Sequence, residues 1–162
     1  MMTPSAARPF TLRPARPGDL PAAIALIREL AAFEKLAGPD DEEAARLQTD
    51  FAAGRYRLLV VEDEAGALCA YAMYYFTYSS FRARPTLYLE DVYVTPARRG
   101  HGIGEAVLRH LGEVARAEGC ARFEWVVLDW NVGAQDFYRR LGARILDEWR
   151  VCRVDGEALD RL

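Results

Sequence analysis

The feature that most constrains this chain is a glycine-rich stretch between an apolar strand and an amphipathic helix, at residues 92–111, which read VYVTPARRGHGIGEAVLRHL. Gly100, Gly102 and Gly104 alternate there. Glycine weakens any helix or strand that it interrupts, so this spacing marks a backbone that turns sharply or approaches another group closely. The first N–H groups of the following helix have no intrahelical partner and carry partial positive charge. The stretch therefore predicts an anion site, to which Arg99 adds a full charge.

Three known phosphate-binding patterns can be compared with this stretch. The P-loop ends in G-K-[ST], whereas the chain has Gly-Ile-Gly-Glu. The dinucleotide-binding pattern G-x-G-x-x-G needs a glycine where Glu105 stands, and it follows the first strand of a βαβ unit. The pattern [QR]-x-x-G-x-[GA] fits Arg99, Gly102 and Gly104. The third pattern is the best match, and a glycine-rich turn without a ligand is its alternative.

The remaining sequence predicts one mixed α/β domain. Hydrophobic residues make up 51% of the 162 residues, which is enough for a packed core. Apolar periodicity, capping residues and glycine stops predict the order βααβββαβαβ. The predicted elements cover residues 10–15, 19–36, 42–53, 56–62, 67–78, 85–94, 102–119, 122–128, 131–142 and 144–155. We expect a single domain over residues 1–162, with residues 1–8 as a flexible leader.

Composition argues against several kinds of partner. The net charge is −3, and no basic face is evident beyond Arg98 and Arg99, so we expect no nucleic acid. No apolar stretch reaches membrane-spanning length, and the N-terminus lacks the apolar run of a signal peptide, so we expect no membrane partner. Its three distant cysteines indicate a reduced, cytoplasmic protein. His101 and His110 have no cysteine or carboxylate at ligand spacing, so we expect no metal.

Several segments together resemble a known family. The glycine-rich stretch resembles the pyrophosphate-binding motif of the GCN5-related N-acetyltransferase (GNAT) superfamily, in which acetyl-CoA lies against a strand and a helix N-terminus. NVGAQDFYRRLG at 131–142 resembles the downstream helix of that superfamily. Five segments in matching order resemble its diamine and thialysine acetyltransferase branch: IRELAAFEKL at 27–36, MYYFTYSSF at 73–81, LYLEDVYV at 87–94, RGHGIG at 99–104 and VLDWN at 127–131.

The resemblance implies a GNAT fold, with a mixed, mostly antiparallel sheet flanked by helices, and acetyl-CoA as cosubstrate. Backbone N–H groups at Val92 and Val94 would contact the acetyl carbonyl and pantetheine, where such donors stabilise an oxyanion. The other implied coenzyme contacts are Tyr93, Arg99, Gly100, His101, Gly102, Ile103, Gly104, Glu105, Asn131, Ala134 and Tyr138.

Acetyl transfer to an amine needs a proton acceptor and a proton donor. An alkyl amine is neutral in only about one molecule per thousand at pH 7, so a base is needed. Strand alternation places Glu90 with Val92 and Val94, where burial would raise its pKa; an edge position facing water is the alternative. Tyr138 is protonated at neutral pH and matches the superfamily's acid, which protonates the leaving thiolate. A merely packed tyrosine is the alternative reading.

The acceptor site is predicted to be acidic. Glu34 continues the apolar stripe of the first helix and matches the residue that holds a distal ammonium in the diamine branch; an exposed helix end is the alternative. Asp91 and Glu148 match further acidic positions of that branch, and Phe33 is predicted to contact the substrate beside Glu34. No cysteine has an evident base partner, so direct transfer in a ternary complex is expected.

The acceptor itself is not fixed by these residues. A small cationic amine, such as a polyamine, a diamine or thialysine, is the leading hypothesis. The alternatives are a protein or peptide N-acetyltransferase and a noncatalytic acetyl-CoA-binding module. Phe81 stands where polyamine enzymes carry Trp, and LDWN is closer to the thialysine-preferring members. The resemblance also implies a homodimer with the last strands at its interface.

Overall fold

The computed structural model describes residues 9–162, and the leader predicted at residues 1–8 lies outside them. One five-stranded sheet has the order β1-β2-β3-β4-β5, with bounds Phe10–Pro14, Arg57–Asp63, Leu68–Ser79, Arg84–Val94 and Arg122–Glu124. The helices α1 to α5 are Leu20–Phe33, Asp41–Ala52, Ile103–Ala117, Val132–Arg140 and Gly156–Asp160. The described chain divides into two compact units, one ending at Val126 and the other beginning at Val127.

The sheet is mixed and mostly antiparallel, as predicted. Strands β1 to β4 form antiparallel neighbours. Strand β5 runs parallel to β4 and pairs with it over only three positions, from Thr86 opposite Arg122 to Tyr88 opposite Glu124. The outer edge of β4 therefore has no strand beside it from Leu89 onward within the described residues.

Alternation along the strands divides the core between the two faces of the sheet. Helix α1 lies on one face with a cluster of buried side chains: Leu20, Ala23, Ile24, Leu26, Leu58, Val60, Tyr71, Met73 and Tyr93. Helix α3 packs beside β4 and β5, and its apolar positions three and four apart, including Ile103, Val107 and Leu111, are buried. None of the helices over residues 9–162 combines the length and apolarity needed to cross a membrane.

The register between β3 and β4 contains a β-bulge. Met73 pairs with Asp91, whereas Tyr74 pairs with Leu89, so Glu90 is an extra residue in β4. A bulge interrupts the alternation of side chains and bends the strand locally. The strict alternation predicted for residues 87–94 is therefore wrong at Glu90.

Two strand predictions in the second half of the chain need correction. The strand predicted at 122–128 ends at Glu124, and none of residues 144–155 is in a strand. Residues 144–155 mix apolar and polar side chains without strict alternation, and a strand also needs a neighbour for its N–H and C=O groups, which the described residues do not give this segment. The chain forms the short helix α5 after it.

Candidate active site

The bulge in β4 places two adjacent carboxylates on the face that α1 covers. The Tyr71 hydroxyl donates to Asp91 Oδ2 at 3.3 Å, and the Tyr75 hydroxyl donates to Glu90 Oε2 at 2.8 Å. Tyr71 and Tyr75 lie four residues apart on β3, so their side chains share one face. Because each tyrosine reaches one carboxylate, Glu90 and Asp91 lie on that same face. Alternation alone would have separated them.

The carboxyl group of Asp91 has a raised pKa. Burial raises its pKa from 3.8 to about 6, and the nearby charges of Glu90 and Glu34 act in the same direction. The hydrogen bond from Tyr71 opposes this shift because it stabilises the ionised form. At neutral pH, Asp91 is ionised and accepts a proton more readily than an ordinary aspartate.

Glu34 immediately follows α1 and caps its C-terminal end. It is partly buried, and burial raises its pKa. Its charge also raises the pKa values of both Asp91 and Tyr71, so it lies within electrostatic range of them. The prediction that Glu34 lies at the core-facing edge of the helix end is confirmed. The structure thus brings three predicted residues together in one acidic cluster, composed of Glu34, Glu90 and Asp91.

Glu90 differs from its prediction in exposure. Its side chain is exposed rather than buried, because the bulge displaces it from the regular pleat. The less exposed acid of this strand is Asp91, which is half-buried one residue further along. The expectation of a burial-raised pKa on β4 therefore applies to Asp91, and the catalytic role of Glu90 stays a prediction.

The outer edge of β4 presents backbone donors beside this cluster. The Thr95 N–H donates to Cys69 C=O at 2.9 Å, so that N–H points towards β3. Alternation directs the N–H groups of Val92 and Val94 towards the opposite edge, which β5 does not reach. These are the two backbone groups predicted to contact an acetyl carbonyl and pantetheine.

The glycine loop has the geometry of an anion site. Gly100 and Gly102 both have φ of +78°, a left-handed conformation that favours glycine, and a Cβ added at either would meet nothing within 4 Å. The first intrahelical bond of α3 runs from Ala106 N–H to Gly102 C=O at 3.0 Å. The N–H groups of Ile103, Gly104 and Glu105 therefore have no partner within the helix. Open space and orphan donors fit a pyrophosphate.

Three charged or polar side chains of the loop and of the first turn of α3 make contacts within the protein. The Arg99 Nε donates to Val94 C=O at 2.9 Å, and its guanidinium carbon lies 5.5 Å and 5.6 Å from the ring centroids of Tyr93 and Phe33. His101 Nδ1 lies 3.0 Å from Arg99 C=O. Glu105 accepts a hydrogen bond from Arg109 at 2.7 Å. The main chain at Gly100 and Gly102 borders open space.

The second unit contains the remaining predicted residues. Asn131 caps α4, because its Oδ1 accepts from the Ala134 N–H at 3.2 Å. Tyr138 is half-buried on α4, with its ring centroid 5.5 Å from that of Phe137. Glu148 is exposed. The predicted helix with its starting Asn is confirmed, whereas the roles of Tyr138 and Glu148 stay predictions.

Sequence reasoning missed two residues that contact the acidic cluster. Tyr71 and Tyr75 supply its hydrogen bonds, and they lie 20 and 15 residues from their partners. The sequence signal for them was their shared face on β3. That signal identifies their partners only when the β3–β4 register is known. Across residues 9–162, no group of three or more histidine, cysteine, aspartate or glutamate side chains is placed to hold a metal ion.

These features define a mixed α/β domain that has a glycine loop suited to an anion and a cluster of carboxylates. Comparison with known proteins gives the family: the model of the "Acetyltransferase (GNAT) family" matches residues 24–143. The chain belongs to this family and is an N-acetyltransferase. Acetyl-CoA is the acetyl donor of the family, and the main chain of the glycine loop fits its pyrophosphate.

Two similar proteins indicate which branch of the family this chain resembles. Thialysine N-epsilon-acetyltransferase of Bos taurus is 39% identical over 163 residues, covering 93% of this chain and 95% of that protein. Spermidine/spermine N(1)-acetyltransferase-like protein 1 of Homo sapiens is 37% identical over 161 residues, covering 93% of this chain and 23% of that protein. The resemblance to the diamine and thialysine branch is thereby confirmed.

Solved structures agree on the fold. A Trypanosoma brucei acetyltransferase superposes with a TM-score of 0.72 at 24% identity, covering 90% of this chain and 99% of that chain. An integron cassette protein of V. cholerae gives 0.77 at 19% identity, covering 96% and 98%. At these identities the likeness concerns the fold alone.

Proposed function

We propose that this N-acetyltransferase transfers the acetyl group of acetyl-CoA to the amine of a small cationic acceptor: a polyamine, a diamine or a thialysine-like compound. The observation that carries the proposal is the acidic cluster of Glu34, Glu90 and Asp91 beside the open edge of β4. Three carboxylates on one face repel one another, and a bound ammonium relieves that repulsion. The names of the relatives, thialysine and spermidine/spermine acetyltransferases, support the same class of acceptor.

Glu34 is proposed to bind the ammonium that does not react. It extends the cluster from the end of α1, whereas Glu90 and Asp91 belong to β4. A diamine presents one amine for reaction and a second positive charge at a distance. The partial burial of Glu34 strengthens its attraction for that charge, because screening by water is weaker there. Phe33, at the end of the same helix, is proposed to contact the acceptor beside Glu34.

Asp91 is proposed to share the base role predicted for Glu90. An alkylammonium with a pKa near 10.4 gives up its proton with difficulty to an ordinary carboxylate. The raised pKa of Asp91, about 6, reduces that mismatch by about two units. Exposed Glu90 is placed to exchange the proton with water, which supports an indirect route.

The coenzyme is proposed to lie along β4 and the glycine loop. When bound, acetyl-CoA supplies the activated acetyl group as a thioester. The N–H groups of Val92 and Val94 would polarise the acetyl carbonyl, and the first turn of α3 would bind the pyrophosphate. In the second unit, Asn131 and Ala134 are proposed coenzyme contacts, and Tyr138 is the proposed acid that protonates the leaving thiolate.

We also propose that the protein is a cytoplasmic homodimer. Residues 146–154 expose several large apolar side chains, and we propose that a second copy covers them: Leu146, Trp149, Val151 and Val154. The three cysteines form no disulfide within the described residues, which fits a reducing compartment.

Thiol release from acetyl-CoA, measured over a panel of amines, tests the proposed reaction. The panel contains spermidine, putrescine, thialysine, lysine, an aminoglycoside and a short peptide. We expect rapid release with at least one of the small cationic amines and slow release with the peptide. Turnover with the peptide alone would replace the proposal with protein acetylation. Tight acetyl-CoA binding without turnover on any acceptor would indicate a noncatalytic coenzyme-binding role.

A further inference from the structure

Arg99 opens the glycine loop, and its side chain is held at three points in the first unit. Its Nε donates to Val94 C=O at 2.9 Å. Its guanidinium carbon lies 5.5 Å from the Tyr93 ring centroid and 5.6 Å from the Phe33 ring centroid. Both distances are within the range of cation–π contact. The side chain therefore runs from the loop back along β4 to the C-terminal end of α1.

Tyr93 is itself fixed to α1. Its ring is buried in the core cluster, and its hydroxyl donates to Glu29 Oε2 at 3.1 Å. Burial and the bond to Glu29 raise the pKa of Tyr93, so its hydroxyl keeps the proton that it donates. The contacts among Glu29, Tyr93, Arg99 and Phe33 thus join the glycine loop to the same helix in two places.

The end of α1 is closed by local backbone contacts. Phe33 is the last residue of the helix, and Glu34 follows it directly. Lys35 adopts a left-handed conformation with φ of +61°, and the Leu36 N–H donates to Ala31 C=O at 2.9 Å, which closes the helix end. Phe33, which contacts Arg99, and Glu34 are thus adjacent residues of one closed helix end.

We infer that Arg99 is a positioning residue that couples coenzyme binding at the glycine loop to acceptor binding at Glu34, through its contact with the Phe33 ring. The inference rests on the proposed function, which supplies the two ligands. If Arg99 served only to balance the charge of the pyrophosphate, a substitution at Phe33 would not change the contribution of Arg99 to coenzyme binding. In the arrangement observed, Phe33 at the end of α1 contacts Arg99, the first residue of the glycine loop.

A double-mutant cycle on CoA binding tests this inference. The dissociation constant of CoA is measured by calorimetry for the wild type, Phe33→Leu, Arg99→Gln and the double variant. Losing one exposed cation–π contact should weaken CoA binding about two- to fivefold in Phe33→Leu. In the Arg99→Gln background, the same change at Phe33 should have no further effect. Equal effects of Phe33→Leu in both backgrounds would overturn the inference.

The same titrations with putrescine present measure the coupling itself. In the wild type, putrescine should change the CoA dissociation constant by a factor clearly different from one. That factor should approach one in Phe33→Leu and in Arg99→Gln. A factor of one in the wild type, or an unchanged factor in both variants, would overturn the inference. A merely structural defect would change affinity or melting temperature but leave this factor in place.

Two variants serve as matched controls. Phe33→Tyr keeps a ring face and should retain both the CoA affinity and the coupling factor. Tyr78→Leu removes an exposed aromatic side chain on β3 and should leave CoA binding unchanged. A wild-type protein that binds no CoA would contradict the proposed function and the inference together. If the protein transfers acetyl groups normally but the effects of the two substitutions on CoA binding are additive, the coupling is contradicted and the proposed function stands.

Discussion

Glu90 and Asp91 are neighbours whose carboxylates would point to opposite faces of a regular strand. One extra residue in β4 brings them to the same face, where Tyr75 and Tyr71 each donate a hydrogen bond to one of them. The two carboxyl groups lie in different environments. Burial raises the pKa of Asp91 to about 6, whereas Glu90 is exposed to water. A strand without the bulge would place one carboxylate on this face instead of two.

Tyr71→Phe should move the pH dependence of the reaction upward. The Tyr71 hydroxyl stabilises ionised Asp91, so its removal raises the pKa of Asp91 further above 6. The bend in the profile of log(kcat/KM) against pH should therefore shift to higher pH, measured between pH 5 and 9 with saturating acetyl-CoA. Tyr56→Phe is the control, because that hydroxyl donates to Leu47 C=O away from the cluster. An unshifted bend in Tyr71→Phe would argue against Asp91 as the titrating base.

Tyr138→Phe tests the proton donor. The ring and its packing against Phe137 are retained, and only the hydroxyl is lost. Because general acid catalysis typically contributes about 100-fold or more, kcat should fall by about that factor. The acetyl-CoA dissociation constant should change little. Full activity of Tyr138→Phe across the whole pH range would remove its assigned role as the acid.

At the scale of elements, the predictable parts are those specified by local chemistry. The glycine loop, the cap of α4 at Asn131 and the apolar stripe of α3 all follow from nearby residues, and the structure contains them. The bulge at Glu90 was not predictable, because it depends on which β3 residue faces which β4 residue. The strand predicted at 144–155 was wrong for a related reason: a strand needs a neighbouring strand, and the described residues provide none for this segment.

Gly102→Val should abolish coenzyme binding by filling the space in front of the α3 N-terminus. The substitution also strains a residue whose φ is +78°. Gly66→Val is a matched control, because Gly66 has φ of +79° and similarly open surroundings in the turn between β2 and β3. Both variants should lose stability, seen as a lower melting temperature, but only Gly102→Val should lose CoA binding in calorimetry. Retained binding in Gly102→Val would place the pyrophosphate elsewhere.

At the scale of the whole molecule, the exposed apolar side chains within residues 146–154 bear on whether the protein forms a dimer. Trp149 and Val151 are each 73% exposed, which is unusual for two large apolar side chains so close in sequence. A second copy that supplied the missing strand neighbour would satisfy the backbone and cover these side chains together.

A Trp149→Glu, Val151→Glu double variant should weaken the proposed dimer. Charged side chains at these positions oppose burial between two copies. Sedimentation equilibrium should show a dimer for the wild type and a shift towards monomer for the variant. Phe81→Glu is the control, because Phe81 is 95% exposed in the turn between β3 and β4. A monomeric wild type, or a variant that stays dimeric, would contradict the proposed interface.

The most direct test of the central claim compares a diamine with a matching monoamine in the wild type and in Glu34→Gln. Putrescine and butylamine share a four-carbon chain and differ in the second charge. Glu34→Gln should raise KM for putrescine about tenfold or more and leave butylamine nearly unchanged, because only putrescine carries an ammonium for Glu34 to bind. Equal effects on the two amines would contradict an acidic cluster that selects a cationic acceptor.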